Sequence, residues 1–101
     1  MPLNKPKILL TAHNDIHQIV DYLLANNKQA AAAFSQAIDR AQEQLALFPE
    51  SAPISSNARL ADEKYRALVL IYDYLLFYKI HKQTVVVYRV LNGKRNYGEF
   101  V

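Results

Sequence analysis

The chain has no cysteine and no tryptophan, and it contains only two glycines among 101 residues. Without cysteine it can form neither a disulfide nor a thiolate metal site, and this composition fits a reducing cytosol. No glycine-rich phosphate loop is present, so the sequence predicts no nucleotide cofactor, and no other cofactor is indicated. The apolar runs are too short to cross a bilayer, and the N-terminal residues form no signal-peptide core. We therefore expect a cytoplasmic protein with no membrane association.

What the chain does contain is an uneven distribution of charge. Its length suits a single domain, residues 1–101, built around one core. Residues 1–63 carry five basic and seven acidic side chains, a net charge of −2, whereas residues 64–101 carry seven and two, a net charge of +5. Such a basic region attracts the phosphates of a nucleic acid or the carboxylates of a protein segment. It is equally typical of a solvated basic hairpin, and charge alone does not choose between these interpretations.

Helical periodicity occupies the first half of the chain. Residues 7–10 read as a short strand, after which Thr11 is expected to be an N-cap and Asp15 to lie in the first helical turn. Apolar residues at helical spacing then predict one helix ending at Asn26-Asn27 and a second ending at Pro49. The connection is short enough to make the two helices antiparallel. The core face of the second helix is predicted to include Phe34, Ile38 and Leu45.

Strand-like patterns occupy the second half. Residues 49–63 are rich in Pro, Ser and Asn and are expected to form a long loop. Three runs rich in Val, Ile, Tyr and Leu follow, at residues 65–71, 74–81 and 84–91, with gaps of hairpin length. Asn92-Gly93 is a turn signal at the end of the last run. The predicted class is α+β, in the order β-αα-βββ, with a helical hairpin covering one face of a small, mainly antiparallel sheet.

A metal site and a nucleophilic site are both unsupported by the sequence. His13, His17 and Asp21 stand four residues apart along the first helix, but the glutamate of a zinc-protease helix and any further ligand are missing. We interpret them as a solvated helix flank and predict no metal. No local signature of a serine or aspartate nucleophile is present.

A group of basic residues with neighbouring tyrosines remains as the candidate site. Arginine binds phosphate through paired hydrogen bonds and tyrosine stacks on bases, so an open sheet that displays both would suit RNA. Strand alternation, however, implies that at least half of the tyrosines face the helices as core. The residues are Arg66, Arg89, Lys94 and Arg95 with Tyr65, Tyr74, Tyr78, Tyr88 and Tyr97.

Over residues 7–97 the sequence resembles the RelE/ParE superfamily of bacterial toxins. The resemblance lies in the order and spacing of several short motifs, each of which is degenerate alone. They are Ile19-Val20-Asp21-Tyr22-Leu23, Leu45-Ala46-Leu47-Phe48-Pro49, Tyr65-Arg66-Ala67-Leu68-Val69, Tyr74-Leu75-Leu76-Phe77-Tyr78 and the run from Val90 to Tyr97. The resemblance implies the toxin of a type II toxin–antitoxin pair, a system associated with plasmid stabilisation, whose partner is a cognate antitoxin that wraps and blocks the toxin in a hetero-oligomer.

The superfamily contains ribosome-dependent mRNA endonucleases, like RelE, and inhibitors of DNA gyrase, like ParE. A nuclease needs a basic cluster around the scissile phosphate and a nearby acid or base. Leu75 and Leu68 occupy positions where RelE-like sequences carry an arginine and a lysine, and Val101 falls near the position of their catalytic tyrosine. The nuclease candidates that survive are Arg66 and Arg95, with Tyr97 as acid or base.

These departures favour the ParE-like branch, in which the chain inhibits growth by binding gyrase and performs no chemistry. The Asn92-Gly93-Lys94-Arg95-Asn96 run resembles the ParE pattern, although histidine often stands where this chain has Asn92. The alternatives are a nuclease acting on mRNA at the ribosome, and a degenerate toxin that only binds its antitoxin and helps repress their promoter. The expected target-binding residues are Arg66, Arg89, Lys94, Arg95, Asn96 and Tyr97.

Overall fold

A computed structural model describes residues 5–95 and 97–101. Its elements follow the predicted order, with one additional short helix before the antiparallel strands. They are β1 (Lys7–Ile8), α1 (Leu10–Asn26), α2 (Lys28–Leu47), α3 (Ala58–Asp62), β2 (Arg66–Val69), β3 (Tyr74–His81) and β4 (Thr84–Asn92), with 3-10 turns at Ile71–Asp73 and Tyr97–Glu99. In the described part of the chain, no helix combines the length and apolar character needed to cross a membrane.

The four strands form one mixed sheet in the order β1-β4-β3-β2. β2, β3 and β4 are an antiparallel meander, and β1 pairs parallel to β4. The predicted α+β class and β-αα-βββ order are confirmed. Phe77 pairs with Arg89 and Tyr78 with Val87, so Tyr88 is the extra residue of a bulge in β4.

The start of α1 differs from the prediction. The strand ends at Ile8, and the helix begins at Leu10 because the Leu9 amide still donates to the Val87 carbonyl, at 3.1 Å, before the chain turns. Thr11 therefore lies inside the helix and is no N-cap; its hydroxyl donates to the Tyr88 carbonyl instead. Asp15 lies beyond the first turn and faces the sheet. Both side chains attach α1 to β4, which is a tertiary role that the local sequence does not encode.

The helical hairpin is built as predicted. Asn27 alone separates α1 from α2, and its side-chain oxygen caps α2 by accepting from the Gln29 and Ala30 amides. Phe34, Ile38 and Leu45 are buried and face the sheet, as their spacing predicts. The α2 helix ends at Leu47, two residues before Pro49.

Residues 49–63 are not one loop, contrary to the prediction. Ile54 forms an isolated antiparallel bridge with Arg66, and Ala58–Asp62 form α3. The Asn57 side chain caps this helix by accepting from the Leu60 amide at 3.1 Å. The short α3 escaped prediction because five residues carry too little periodicity to detect, although an asparagine before Ala-Arg-Leu-Ala is a recognisable N-cap signal.

The sheet is covered on both faces. Tyr74 and Tyr78 point into the main core, beneath α1 and α2, whereas Tyr65, Tyr88 and Tyr97 belong to a second cluster on the opposite face. The expectation that at least half of these tyrosines face the helical hairpin is therefore wrong, because α3 and the C-terminal turn supply a second packing surface. Burial raises the pKa of the Tyr65, Tyr74 and Tyr78 hydroxyls, which agrees with their place in the two packed clusters.

The connection between β2 and β3 is tight and strained. β2 stops at Val69, two residues earlier than predicted, and Ile71–Asp73 turn the chain, with the Tyr74 amide donating to the Ile71 carbonyl. Tyr72 and Asp73 both have φ of 62°, in the left-handed region that tight connections between antiparallel strands often use. Neither residue is glycine, so the turn costs free energy that the flanking strand pairing must offset.

Candidate target-binding site

The candidate site begins where β4 ends and the chain turns at Gly93. Asn92 pairs with Tyr74 on β3, and the Gly93 amide donates to the Asp73 carbonyl at 2.8 Å. A Cβ on Gly93 would lie 2.8 Å from that carbonyl oxygen, so this close approach requires glycine. The Asn92 side chain accepts from the Lys94 amide at 2.8 Å. These bonds fix the turn against the β2–β3 connection.

Lys94 and Arg95 project from this fixed turn into solvent. Both are exposed. The ion pairs among the described residues are Arg59–Glu63 and Arg89–Asp15, so neither Lys94 nor Arg95 is paired with a described acid. The Arg95 guanidinium carbon lies 4.2 Å from the centroid of the Phe100 ring, a cation–π contact that orients an otherwise flexible side chain. The site thus presents two unneutralised charges on a rigid base.

A groove of about 430 Å³ lies beside Arg95, between α1 and the end of the sheet. Apolar side chains contribute to its walls, and the carboxylate among its described lining residues, that of Asp15, is already paired with Arg89. The charge left unpaired at the groove is that of Arg95. Its lining residues are Asp15, Gln18, Ile19, Tyr22, Tyr74, Val90, Leu91, Asn92 and Arg95.

The C-terminal residues after the turn cover the second face of the sheet. The Tyr97 ring lies 5.1 Å from the Phe77 ring, and Tyr97 and Val101 pack on the second cluster. The Phe100 and Val101 amides both donate to the Tyr97 carbonyl. Asn96, which completes the expected target-binding set, lies outside the described residues.

Arg89 is held inside the fold. Its Nε and Nη2 atoms donate to the two carboxylate oxygens of Asp15 at 2.7 and 2.9 Å, and Nη1 donates to the Phe100 carbonyl. Asp15 also accepts from the Val90 amide at 3.0 Å, so the carboxylate replaces a strand partner at the edge of β4. The hydrogen bond to Asp15 raises the pKa of Arg89, against the opposing effect of burial. Arg89 therefore joins α1, β4 and the C-terminal residues.

We expect Asp15→Asn to lower the free energy of unfolding by about 2 to 3 kcal/mol, the value of charge-assisted hydrogen bonds lost at a mostly buried site. Chemical denaturation measures the loss. Asp21→Asn is the matched control, because Asp21 is exposed on the same helix and should change stability by less than about 0.5 kcal/mol. Equal losses in the two variants would contradict the structural role of the Asp15–Arg89 pair.

Arg66 lies away from the turn. Its Nη1 donates to the Ala52 carbonyl at 2.7 Å. Its partner across the strands is Tyr78, whose side chain lies on the face covered by α1 and α2. Asn92 pairs with Tyr74, so Arg66 is displaced by four residues of β3, or about 13 Å along the strand. Tyr97 packs on the opposite face. The structure thus brings Arg95 and Tyr97 into one region and leaves Arg66 outside it.

The two leucines that depart from the nuclease pattern belong to the hydrophobic clusters. Leu68 pairs with Leu76 and packs against the main core, and Leu75 pairs with Leu91 in the second cluster. Val101 packs on that second cluster as well. Apolar packing therefore fills the positions at which a phosphate cradle would need cations.

A second group of basic and aromatic side chains lies on the same face as Tyr97. The Lys79 ammonium lies 4.3 Å from the centroid of Tyr65 and 5.4 Å from that of Tyr88. His81 Nε2 and the Tyr88 hydroxyl are 2.9 Å apart. Lys79 therefore contacts two tyrosine rings, and His81 contacts a tyrosine hydroxyl. Separately, no group of three His, Cys, Asp or Glu side chains that could hold a metal ion occurs among the described residues.

The comparison with protein families decides the family of the chain. Residues 7–97 match the family described as the ParE toxin of the type II toxin–antitoxin system parDE. The chain belongs to the ParE toxin family. Among solved structures, a chain of the "Chromosomal ParDE TA system from P. aeruginosa" matches with a TM-score of 0.70 and 16% sequence identity, over 89% of this chain and 96% of that one. No curated protein sequence matches significantly.

Membership of the ParE family rests on the family match over residues 7–97, and the solved structure adds a shared fold. At 16% identity the structural match establishes a shared fold, and the family match supplies the class of protein, a toxin of a type II toxin–antitoxin system. Sequence reasoning identified both the superfamily and the favoured branch. It missed Arg59 and Asn57, whose contacts with the C-terminal residues depend on α3.

Proposed function

We propose that this ParE-family toxin, a single domain spanning residues 1–101, acts in the cytoplasm by binding DNA gyrase and inhibiting growth without catalysing a reaction. The proposed target-binding residues are centred on Lys94, Arg95 and Tyr97, with Asn96 between them. Arg66 and Arg89, also expected from the sequence, are bound to Ala52 and Asp15 and serve more as supports than as direct contacts.

The chief support is the contrast between two sets of positions. Leu68 and Leu75 are packed in hydrophobic clusters where a nuclease would hold phosphate, whereas Lys94 and Arg95 are exposed and unneutralised on a fixed turn. Each lost contact to a transition-state phosphate raises the activation barrier by a few kcal/mol, so a nuclease with this surface would cleave RNA very slowly. Protein binding needs only an exposed, preorganised anchor, and arginine and tyrosine are common anchors.

A supercoiling assay with purified gyrase tests this function. The wild-type protein should block supercoiling or trap the cleaved-DNA complex, because a bound protein anchor interferes with the enzyme's conformational cycle. Ribosome-bound mRNA incubated with the same protein should remain intact. Unaffected supercoiling together with cut mRNA would identify the nuclease instead.

We further propose that a cognate antitoxin neutralises the toxin within a hetero-oligomer, since the similar P. aeruginosa chain comes from a toxin–antitoxin system. The partner should dock through an apolar helix or strand bearing acidic residues. The net charge of +5 on residues 64–101 supplies the electrostatic attraction, and the groove beside Arg95 supplies an apolar surface.

Antitoxin association should depend strongly on salt. Raising the salt concentration from about 0.05 to about 0.5 M should slow association by about tenfold or more, because steering charges are screened beyond a Debye length of roughly 10 Å at 0.1 M. Stopped-flow mixing with the protein encoded beside the toxin gene measures the rate. Replacing Lys94 and Arg95 by Gln should make the association rate depend less on salt. Arg40→Gln, at an exposed position on α2, should leave the salt dependence unchanged. A rate independent of salt would contradict charge-guided docking.

A further inference from the structure

Arg59 of α3 holds the C-terminal residues against the sheet through two backbone oxygens. Its Nη2 atom donates to the Gly98 carbonyl at 2.5 Å and to the backbone oxygen of Val101 at 3.0 Å, while Nη1 donates to Glu63 at 2.5 Å. A guanidinium can make these bonds together because its donors form a rigid planar fork. Glu63, one helical turn further on, fixes the direction in which that fork points.

Neighbouring contacts continue from this arginine to Arg95. The Phe100 carbonyl lies in sequence between the two residues bound by Arg59, and it accepts from Arg89 at 2.5 Å. The Phe100 ring lies under the Arg95 guanidinium, at 4.2 Å from its central carbon. A path of direct contacts therefore runs from Glu63 through Arg59 and the C-terminal backbone to Phe100 and then to Arg95.

Gly98 is fitted to the same element. A Cβ built on Gly98 would lie 2.6 Å from the side-chain nitrogen Nδ2 of Asn57, so any side chain at this position would have to displace the Asn57 side chain. Asn57 is itself fixed because it caps α3. The close approach and the two arginine bonds are independent observations that α3 and the residues after Tyr97 are matched to one another.

We propose that Arg59 is a positioning residue for target recognition: it fixes the Tyr97–Val101 segment so that Phe100 holds Arg95 in its binding orientation. The proposal rests on the proposed function in that Arg95 is taken to be a target contact. The segment forms no strand ladder, and its described backbone bonds are local turns. Without Arg59 it would lose two of the bonds that tie it to the rest of the fold.

The alternative is that Arg59 merely stabilises the fold. The Arg59 and Glu63 side chains are 50% and 47% exposed, and an ion pair so exposed contributes little to stability. The hydrogen bonds of Arg59 go to Glu63, on its own helix, and to the segment that carries Phe100. If Arg59 only stabilises the fold, removing it should lower the free energy of unfolding and leave target binding unchanged. If it is a positioning residue, removing it should weaken target binding and leave the free energy of unfolding nearly unchanged.

A double-mutant cycle separates these roles. Arg59→Ala and Phe100→Ala should each weaken gyrase binding by about fivefold to tenfold, and the double variant should be no weaker than the weaker single variant, because both act through one path. Arg59→Lys should be intermediate, since an ammonium keeps the charge but lacks the planar fork. Arg40→Ala, an exposed arginine on α2, is the control and should bind normally. If the loss of gyrase binding in the double variant equals the product of the two single fold-losses, the proposal is overturned.

Amide hydrogen exchange provides a test that does not depend on gyrase. In Arg59→Ala the Phe100 and Val101 amides, both bonded to the Tyr97 carbonyl, should exchange about tenfold faster or more, while amides of β3 keep the wild-type rate. Unchanged exchange at these two amides would refute the proposal even if gyrase binding fell. If wild-type protein fails to bind gyrase, the proposed function fails, and the same variants compared by growth inhibition then decide whether Arg59 and Phe100 act together.

Discussion

Phe34→Ala should lower the free energy of unfolding by about 3 to 5 kcal/mol, a large fraction of the stability of a small domain. Phe34 is fully buried where α2 meets the sheet, and its ring packs edge-to-face on Tyr74 with centroids 5.2 Å apart. Removing the ring deletes buried apolar surface and this aromatic contact, and it leaves a cavity between elements that are fixed by strand pairing and cannot close over it.

Phe48→Ala makes the same chemical change at a site 63% exposed to solvent, just after α2 ends. We expect it to cost less than about 1 kcal/mol, because water already contacts most of the ring. Chemical denaturation of both variants gives the comparison. A loss below about 1 kcal/mol in Phe34→Ala would mean that α2 is rotated away from the sheet.

Arg95→Ala and Tyr97→Ala should each weaken gyrase binding by about 2 kcal/mol or more, roughly 30-fold, and reduce toxicity in proportion. Arg95 is exposed and oriented by Phe100, so it can enter an interface with little further loss of side-chain entropy. Tyr97 packs beside Phe77 and supports the same surface. Both variants should remain folded, and Arg40→Ala should retain full toxicity.

A nuclease would respond differently to the same change. Arg95→Ala would then lower the rate of mRNA cleavage about 100-fold or more while ribosome affinity stayed nearly constant, because the arginine would stabilise charge formed only in the transition state. Measuring affinity and rate separately for each partner distinguishes the two outcomes. A-site cuts made by the wild-type protein and lost in Arg95→Ala would establish the nuclease.

The elements with repeated periodicity were predictable from sequence. The α2 stripe of Phe34, Ile38 and Leu45 repeats over several turns, and β3 and β4 carry long β-branched and aromatic runs separated by a turn of fixed length. The superfamily resemblance followed from the order of these elements and a few short motifs. The position of the Asn92-Gly93 turn at the end of β4 was likewise encoded locally.

The remaining features depend on contacts between distant residues. Asp15 reads as a helix-dipole residue from its neighbours, but its partner Arg89 is 74 positions away. Arg59 reads as a solvated arginine until α3 and the C-terminal residues meet, 39 positions apart at Gly98. Thr11 has the chemistry of an N-cap, yet its bond to the Tyr88 carbonyl is decided by β4. Local pattern cannot choose among such uses of one polar side chain.

Induction of the wild-type protein in cells, followed by separate measurement of replication-linked DNA breakage and of mRNA cleavage at ribosomal A sites, tests the gyrase function most directly. If Lys94, Arg95 and Tyr97 bind gyrase, DNA breaks should accumulate while mRNA at the A site stays intact. Cleaved A-site mRNA without DNA breakage would contradict the gyrase function. It would also mean that a nuclease of this fold tolerates leucine at positions 68 and 75.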